Sequence, residues 1–185
     1  MIDEHILLAK AQTGDREALN ALMTEYWQPV YRLIYSRLAN PEDAKELTQD
    51  TFMKAFRALP GYKSMGVSFK SYLGKIALNL VTDFWRKNGR APQVVGLEEY
   101  QETLRDSGEK PEEYILRREG QERVTGLLKN LPEEQRQAIR LRVLLGISVH
   151  DTAVLMNKTE AAIKMLQQRA LKNLRSLCLE TGMVK

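Results

Sequence analysis

The amino-acid sequence predicts an all-α protein built from two small helical domains joined by a flexible linker. Apolar residues recur at spacings of three and four along most of the chain, and helix-start signals precede these stretches. Strand-type alternation is negligible. One segment, residues 88–110, breaks the helical pattern and separates the two halves. The hydrophobic share of 43% and the charged share of 28% are those of a folded globular chain.

The first half contains three predicted helices, each starting after a capping side chain and each carrying an apolar stripe. The caps are Asp15 for a helix through Leu38, Asn40 for a helix to about Ala58, and Ser68 for a helix that ends at Asn88-Gly89. Pro29 lies inside the first of these helices and should kink it or locally break its hydrogen bonding.

Turn and cap residues predict the linker and the helices of the second half. Residues 88–110 hold five acids against three basic residues, together with Pro92, Gly96 and Gly108. We therefore predict domains at 1–87 and 111–185. The second domain should begin helices at Pro111 and Pro132, open a short helix with a capping box of Ser148 and Asp151, and turn at Asn157 before Thr159 caps a helix to about Leu179.

Composition excludes several classes of protein. No run approaches the ~18 consecutive apolar residues of a membrane span, and the acidic start is unlike a signal peptide. We therefore expect a cytoplasmic protein without direct membrane insertion. The lone Cys178 and the two distant histidines exclude an internal disulfide and a Cys/His zinc site. We expect no metal, no cofactor and no catalytic residue, so the chain is not expected to be an enzyme.

The net charge of +4 hides an uneven distribution. An acidic cluster at residues 42–50 is followed by a basic stretch from Lys54 to Arg90, and a second basic stretch runs from Lys158 to Arg175. Two separate basic stretches suggest two contacts with one polyanion. The alternative is that both are solvated helix faces.

The C-terminal pattern of a short helix, a tight turn and a longer basic helix is typical of a helix-turn-helix. In that motif the N-terminal residues of the second helix enter the major groove. The candidates for this role are Lys164, Gln167, Gln168, Arg169 and Lys172, because Gln can read adenine and Lys or Arg can read guanine or phosphate. A three-helix bundle with a solvated face remains the alternative.

Two helices of the first half carry further patterns. One helix face carries acidic and apolar side chains together, those of Asp43, Glu46, Leu47 and Asp50. This mixture suits docking on a basic protein helix, and the alternative is an acidic face that is simply solvated. The helix after Ser68 interleaves basic groups with aromatic rings, which suits single-stranded or partly melted DNA. Most of these rings could instead belong to the core.

Several segments of the sequence resemble a known family. The segments from Asp43 to Phe56 and from Phe69 to Lys87 are similar to the second conserved region of bacterial sigma factors of the extracytoplasmic-function type, within the sigma-70 family. The segment from Leu131 to Ile139 and the helix-turn-helix through Arg175 resemble the fourth region. The resemblance implies a transcription-initiation factor that binds core RNA polymerase and promoter DNA in a stress or envelope response, and that an anti-sigma protein holds inactive.

The resemblance also assigns roles by position. Core polymerase would be gripped by Asp43, Glu46, Leu47, Gln49, Asp50 and Phe52. The non-template strand of the −10 element would be captured by the loop Gly61 to Met65, including Lys63 and Ser64, and by Phe69, Tyr72, Asn79, Asp83 and Arg86. The −35 element would be addressed by Thr159, Lys164, Met165, Gln168, Arg169 and Lys172. Departures from the usual pattern at Ala161 to Leu166, His150 and Thr152 mean that no −35 preference carries over.

Two other classes of function are alternatives on the residues alone. A recombinase or invertase with a helix-turn-helix tail would need a nucleophile and arginines in an α/β domain, and the first half shows no strands. A conventional repressor would use its first half to sense a ligand or to dimerise. Binding to core polymerase separates a sigma factor from a repressor. The five linker acids, Glu98, Glu99, Glu102, Asp106 and Glu109, could mimic nucleic acid in the polymerase.

Overall fold

The structure is a computed structural model that describes residues 4–64, 66–89 and 126–180. All regular structure in these ranges is helical, so the all-α prediction is confirmed. The first half contains α1 (Glu4–Gln12), α2 (Arg16–Leu38), α3 (Pro41–Ala58), a short 3-10 turn (Leu59–Gly61) and α4 (Phe69–Lys87). The second half contains a helical turn at 126–129, α5 (Glu133–Ile139), a π-helical segment (Arg140–Leu145), α6 (Val149–Met156) and α7 (Glu160–Glu180).

The predicted caps form in the first half and fix where its helices begin. The Asp15 carboxylate accepts from the Ala18 N–H at 2.9 Å. The Asn40 side chain accepts from two N–H groups, those of Glu42 at 2.9 Å and Asp43 at 3.1 Å. Both helices keep their predicted ends, and α2 continues as one helix across Pro29. Ala39 ends α2 in the left-handed region at φ 56°, a non-glycine turn that the sequence did not signal.

The helix-turn-helix of the second half also forms as predicted. Ser148 accepts from the Asp151 N–H at 2.9 Å and starts α6. Asn157 takes the left-handed conformation at φ 51°, and Thr159 accepts from the Ala162 N–H to start α7. One detail differs from prediction, because the helix that follows Pro132 widens into a π-helix at Arg140 before Gly146 ends it at φ 71°.

The core of the first half lies between α2, α3 and α4. Its fully buried members include Leu22, Val30 and Ile34 on α2 and Leu73 and Ala77 on α4. The second half has a smaller core of its own, formed by Leu128, Leu131, Ile139 and Ala170. The described residues of the two halves therefore form cores of unequal size.

The larger core continues across the boundary between the two halves, at a contact that we call the seam. Leu141, Leu145 and Ile147 of the second half are buried in the same apolar cluster as α2 and α4. Burying such a side chain contributes roughly 1.5–3 kcal/mol. At the centre of the seam Leu145 lies over Gly74, where an added Cβ would be 2.5 Å from Leu145 Cδ2. A mid-helix glycine costs about 1 kcal/mol relative to alanine, and this close approach is its structural reason.

The seam also has a polar part. The Asp151 carboxylate of α6 accepts hydrogen bonds from Ser68 Oγ at 2.6 Å and Ser71 Oγ at 2.7 Å, at the start of α4. Burial acts to raise the pKa of Asp151, but the hydrogen bonds from Ser68 and Ser71 outweigh it and hold this pKa below its ordinary value of 3.8. The bonded carboxylate is therefore ionised at neutral pH. Its contribution to stability is present above pH ~4 and is lost as pH falls through the lowered pKa.

Most of the predicted linker, with its five acids, and most of the helix predicted from Pro111 lie outside the described residues. The same holds for Met65 of the predicted DNA-capture loop. Within the ranges that are described, no helix is both long and apolar enough to cross a membrane.

Replacing Asn40 by Ala tests the cap of α3. The variant loses an acceptor for two N–H groups at a helix start, so we expect the free energy of unfolding to fall by about 1 kcal/mol. Urea denaturation followed by circular dichroism measures this change. Gln49→Ala, an exposed substitution in the same helix, is the control and should stay within ~0.5 kcal/mol of the wild type. An Asn40→Ala variant as stable as that control would show that the cap does not hold α3.

Candidate protein and nucleic-acid interfaces

The outer face of α3 presents part of the predicted polymerase-binding set. Glu46 and Gln49 are exposed, and Asp43 and Asp50 are half-buried beside them. The helix thus brings polar and acidic side chains together at spacings of three and four. The predicted contact residues Leu47 and Phe52 lie elsewhere: they are 6% and 3% exposed and pack in the core. Their role in this structure is to anchor α3 rather than to offer a surface.

An apolar strip beside this acidic face was missed by sequence reasoning. The Trp27 ring of α2 stacks on Phe52 of α3, with centroids 5.7 Å apart. Trp27 also lines an open groove on α2 with Asn20, Met23, Thr24 and Gln28. Met23 and Met53 are 38% and 43% exposed, which is high for large apolar side chains. The methionine spacing on the α3 face was the available signal, since Met53 follows Glu46 by seven residues and Asp50 by three.

A second polar face runs along α4. Asn79, Asp83 and Arg86 lie at positions i, i+4 and i+7, and Arg86 donates to the Asp83 carboxylate at 2.9 Å. Asn79 and Arg86 are exposed, and Tyr72, about two turns before Asn79, is half-buried. Phe69, also predicted to contact the −10 strand, is 1% exposed and belongs to the core. Its ring is therefore not available to stack on a base in this structure.

Phe69 nevertheless fixes the rings around it. Its centroid lies 5.6 Å from that of Tyr62 and 5.9 Å from that of Tyr72, and the Tyr62 and Tyr72 centroids are 4.8 Å apart. Glu4 of α1 ties this cluster to the first helix, because its carboxylate accepts from Tyr26 Oη at 2.8 Å and from the Phe69 N–H at 3.3 Å. Burial, followed by Glu4, raises the pKa of Tyr26 well above its ordinary value. Tyr26 therefore stays a neutral donor.

The predicted loop residues Lys63 and Ser64 are both exposed next to this cluster. Ser64 Oγ donates to the Val67 carbonyl at 3.1 Å, which tightens the loop before α4. The loop, Tyr72 and the polar face of α4 together make up the candidate surface for a nucleic-acid strand.

The third surface is the outer face of α7. The predicted −35 residues Lys164, Met165, Gln168, Arg169 and Lys172 are all exposed on this helix, while Ile163 and Ala170 face inward and are buried. Thr159 is exposed as well, but its hydroxyl is engaged as the helix cap. Arg142 of the π-helical segment donates to Gln167 Oε1 at 3.1 Å and to the Ile147 carbonyl. Arg142 therefore braces α7 against the segment that precedes α6.

Comparison with known proteins decides the family. Residues 22–91 match the family described as Sigma-70 region 2, and residues 121–174 match Sigma-70, region 4. The ECF RNA polymerase sigma-E factor of Escherichia coli is 30% identical over 162 residues, covering 84% of this chain and 84% of that protein. The chain belongs to the family of ECF RNA polymerase sigma factors. The resemblance stated from the residues is confirmed.

Further relatives of this sigma factor are similar to it in sequence or in fold. The ECF RNA polymerase sigma factor BldN of Streptomyces coelicolor is 33% identical over 174 residues, which are 92% of this chain, and the match spans 64% of BldN. The solved structure of CnrH in complex with the cytosolic domain of CnrY matches with a TM-score of 0.69 at 23% identity, covering 94% of this chain and 96% of CnrH. The sigma factor RpoE of Bartonella quintana, solved with the anti-sigma factor NepR, matches at 0.60 and 23% identity, covering 85% and 94% of the two chains.

The division of α3 of this sigma factor into buried and exposed positions can be tested with a matched pair of variants. Leu47→Ala removes a buried side chain and should lower the free energy of unfolding by about 2–5 kcal/mol. Met53→Ala, on the exposed face of the same helix, should change it by less than ~0.5 kcal/mol. Thermal or urea denaturation gives both values. Equal losses for the two variants would contradict the assignment of Leu47 to the core.

Proposed function

We propose that this sigma factor binds core RNA polymerase through α3, captures the −10 element with α4 and the loop before it, and reads the −35 element with α7. The observation that carries the proposal is that three separate surfaces, one acidic and two basic, lie on the segments that match regions 2 and 4. The domain limits 1–87 and 111–185 remain predictions that are consistent with these matches.

The α3 surface suits a basic partner helix. Glu46 and Asp50 supply negative charge, Gln49 supplies hydrogen bonding, and Met53 adds exposed apolar area beside them. Leu47 and Phe52 pack the opposite face of the helix into the core, so its exposed side chains are presented on a rigid element. A rigid, pre-organised surface loses little conformational entropy on binding. These features support docking on the polymerase clamp helices that the family resemblance implies.

The −10 surface can trap a base but cannot melt the promoter alone. Separating a dozen base-pair steps at ~1.4 kcal/mol each costs roughly 17 kcal/mol. A base stacked on an aromatic ring returns ~1–3 kcal/mol. With Phe69 buried, Tyr72 is the predicted aromatic contact that remains near the surface. The polymerase must therefore supply most of the melting energy, and the roles of Asn79, Asp83 and Arg86 are to hold bases and phosphates once separated.

The remaining assignments rest on the family. CnrH and RpoE were each solved with a partner, the cytosolic domain of CnrY and the anti-sigma factor NepR. We propose that an anti-sigma protein likewise controls this chain, in a stress or envelope response in the cytoplasm, and that the chain is an initiation factor rather than an enzyme. That the acidic linker mimics nucleic acid in the polymerase stays a prediction. A recombinase is disfavoured because the described part of the first half contains helices and no β-strand, and a repressor is disfavoured because the family is shown.

Reversing the charge of Asp50 tests the polymerase surface. Asp50→Lys places a cation on a face that we propose meets a basic helix, so its affinity for core polymerase should fall about tenfold or more, equivalent to ~1.4 kcal/mol. Fluorescence anisotropy of the labelled chain with purified core enzyme measures the dissociation constant. Glu25→Lys, an equal charge reversal at an exposed site on α2 outside the groove, is the control and should bind nearly as the wild type does.

An unchanged affinity for Asp50→Lys, or an equal loss in both variants, would contradict a specific role for α3. Absence of any binding between the wild-type chain and core polymerase would overturn the proposed function as a whole.

Replacing Arg169 by Ala tests the −35 surface. If this side chain contacts a phosphate in the holoenzyme–promoter complex, its loss should weaken binding and reduce the slope of log K against log salt by about 1. A salt titration of holoenzyme on a promoter fragment provides the slope. Lys45→Ala, an exposed lysine on α3, should leave the slope as it is in the wild type. A normal slope for Arg169→Ala would remove this residue from the DNA contact.

A further inference from the structure

The first helix, α1, contacts the loop before α4 at both ends of that loop. Gln12, the last residue of α1, donates from Nε2 to the Tyr62 carbonyl at 2.7 Å. Glu4, the first residue of α1, accepts from the Phe69 N–H at 3.3 Å. Because 50 and 65 positions separate these partners in sequence, both are tertiary contacts rather than local turns.

Both contacts are made to the backbone, not to the side chains that we propose meet DNA. Tyr62 offers its carbonyl and Phe69 its N–H. Phe69 is the first residue of α4, where a helix has no acceptor of its own for an N–H group. A carboxylate at this position also interacts favourably with the positive end of the helix dipole. The side chains of Lys63 and Ser64 meanwhile stay exposed, so α1 can hold the loop and leave them accessible.

The two ends of the loop lie close together. The rings of Tyr62 and Phe69 have centroids 5.6 Å apart, although seven extended residue steps could span roughly 23–25 Å. Gly66, between them, takes a left-handed φ of 78°. Fixing each loop residue in one conformation costs conformational entropy. The closed loop therefore depends on contacts that offset this cost, and α1 supplies one at each end.

The helix that makes these contacts is itself fixed. Leu8 and Ala11 of α1 are 9% and 3% exposed and belong to the larger core. The Glu4 carboxylate also accepts from Tyr26 Oη of α2 at 2.8 Å, so one acidic side chain joins α1, α2 and α4. Glu4 and Gln12 are both half-buried. They are thus supports for the loop and not part of its exposed surface.

A fixed loop matters more for base selectivity than for attraction to DNA. A lysine such as Lys63 attracts phosphates by charge, and this attraction is independent of sequence. Hydrogen bonds to the edge of a base weaken steeply when their angle is wrong. Loosening the loop should therefore weaken binding to the correct sequence more than binding to other sequences.

We propose that Gln12 and Glu4 are positioning residues for the −10 element, which hold the loop before α4 at its two ends and so set how selectively it takes up the separated DNA strand. They act through the backbone of the loop and do not touch DNA. This role rests on the proposed function, because it assumes that the loop and α4 capture that strand. It adds α1, which lies before the matched residues 22–91, to the elements that determine promoter selectivity.

Two single-stranded DNA probes measure this selectivity. The wild-type holoenzyme first enriches a hexanucleotide from a random single-stranded library. The most enriched sequence is one probe, and a scrambled sequence of the same composition is the other. Fluorescence anisotropy with holoenzyme gives a dissociation constant for each probe, and the ratio of the two constants is the selectivity.

Gln12→Glu tests the contact with Tyr62. The new side chain has the same length but puts a carboxylate in place of the N–H donor. Binding of the enriched hexanucleotide should weaken by about fivefold or more, and binding of the scrambled one by less than about twofold. Ala9→Glu adds the same charge at an exposed position of the same helix, so it is the matched control and should keep the wild-type selectivity.

Glu4→Ala tests the other end of the loop. Selectivity should fall by a similar factor. The Phe69 N–H should also exchange with solvent about tenfold faster in hydrogen exchange followed by NMR, because it loses the Glu4 acceptor. Glu17→Ala removes the same charge from an exposed site at the start of α2 and should change neither value.

The outcomes separate the role of α1 from the proposed function. Unchanged selectivity in the Gln12 and Glu4 variants would overturn the positioning role. Equal weakening of both probes would also overturn it, because a mere loss of folded protein lowers both affinities alike. Failure of the wild-type holoenzyme to enrich any sequence would instead overturn the proposed capture of the −10 strand. Circular dichroism of each variant verifies that it is folded.

Discussion

The close approach of Leu145 to Gly74 is the contact on which the arrangement of this sigma factor depends. It brings Leu141, Leu145 and Ile147 of the second half into the core of the first half. Among the described residues of the second half, a small separate cluster forms around Leu128, Leu131, Ile139 and Ala170. Much of the apolar surface that the described part of the second half buries is therefore buried against the first half, which explains why the two halves pack together.

The same constraint explains how the surfaces are divided. Packing on α4 uses its first two turns, where Ser68, Ser71 and Gly74 face the second half, and leaves Asn79, Asp83 and Arg86 at the surface. The α3 face lies apart from the seam and stays exposed. On the proposed function, the net charge of +4 is the small remainder of an acidic docking face and two basic faces.

Local structure could be predicted from the sequence, because caps and turns are short-range signals. Asp15, Asn40, Ser148 and Thr159 start helices where their side chains predict, and Asn157 makes the predicted left-handed turn. Long-range packing could not be predicted in the same way. Leu47, Phe52 and Phe69 each fit both an apolar stripe and a family contact position, and only burial separates those roles. The capping-box residue Asp151 bonds a helix of the other domain, which no local pattern signals.

The most direct test of this account is the distance between the two domains in the free chain. Lys75→Cys on α4 and Ala161→Cys on α7, in a Cys178→Ser background, provide exposed sites for a spin-label or fluorophore pair. Helix geometry and the Asp151–Ser68 hydrogen bond predict one short distance between the two Cα atoms, below roughly 45 Å. A longer distance, or a broad distribution that extends well beyond this bound, would contradict the packing of the two halves at the seam.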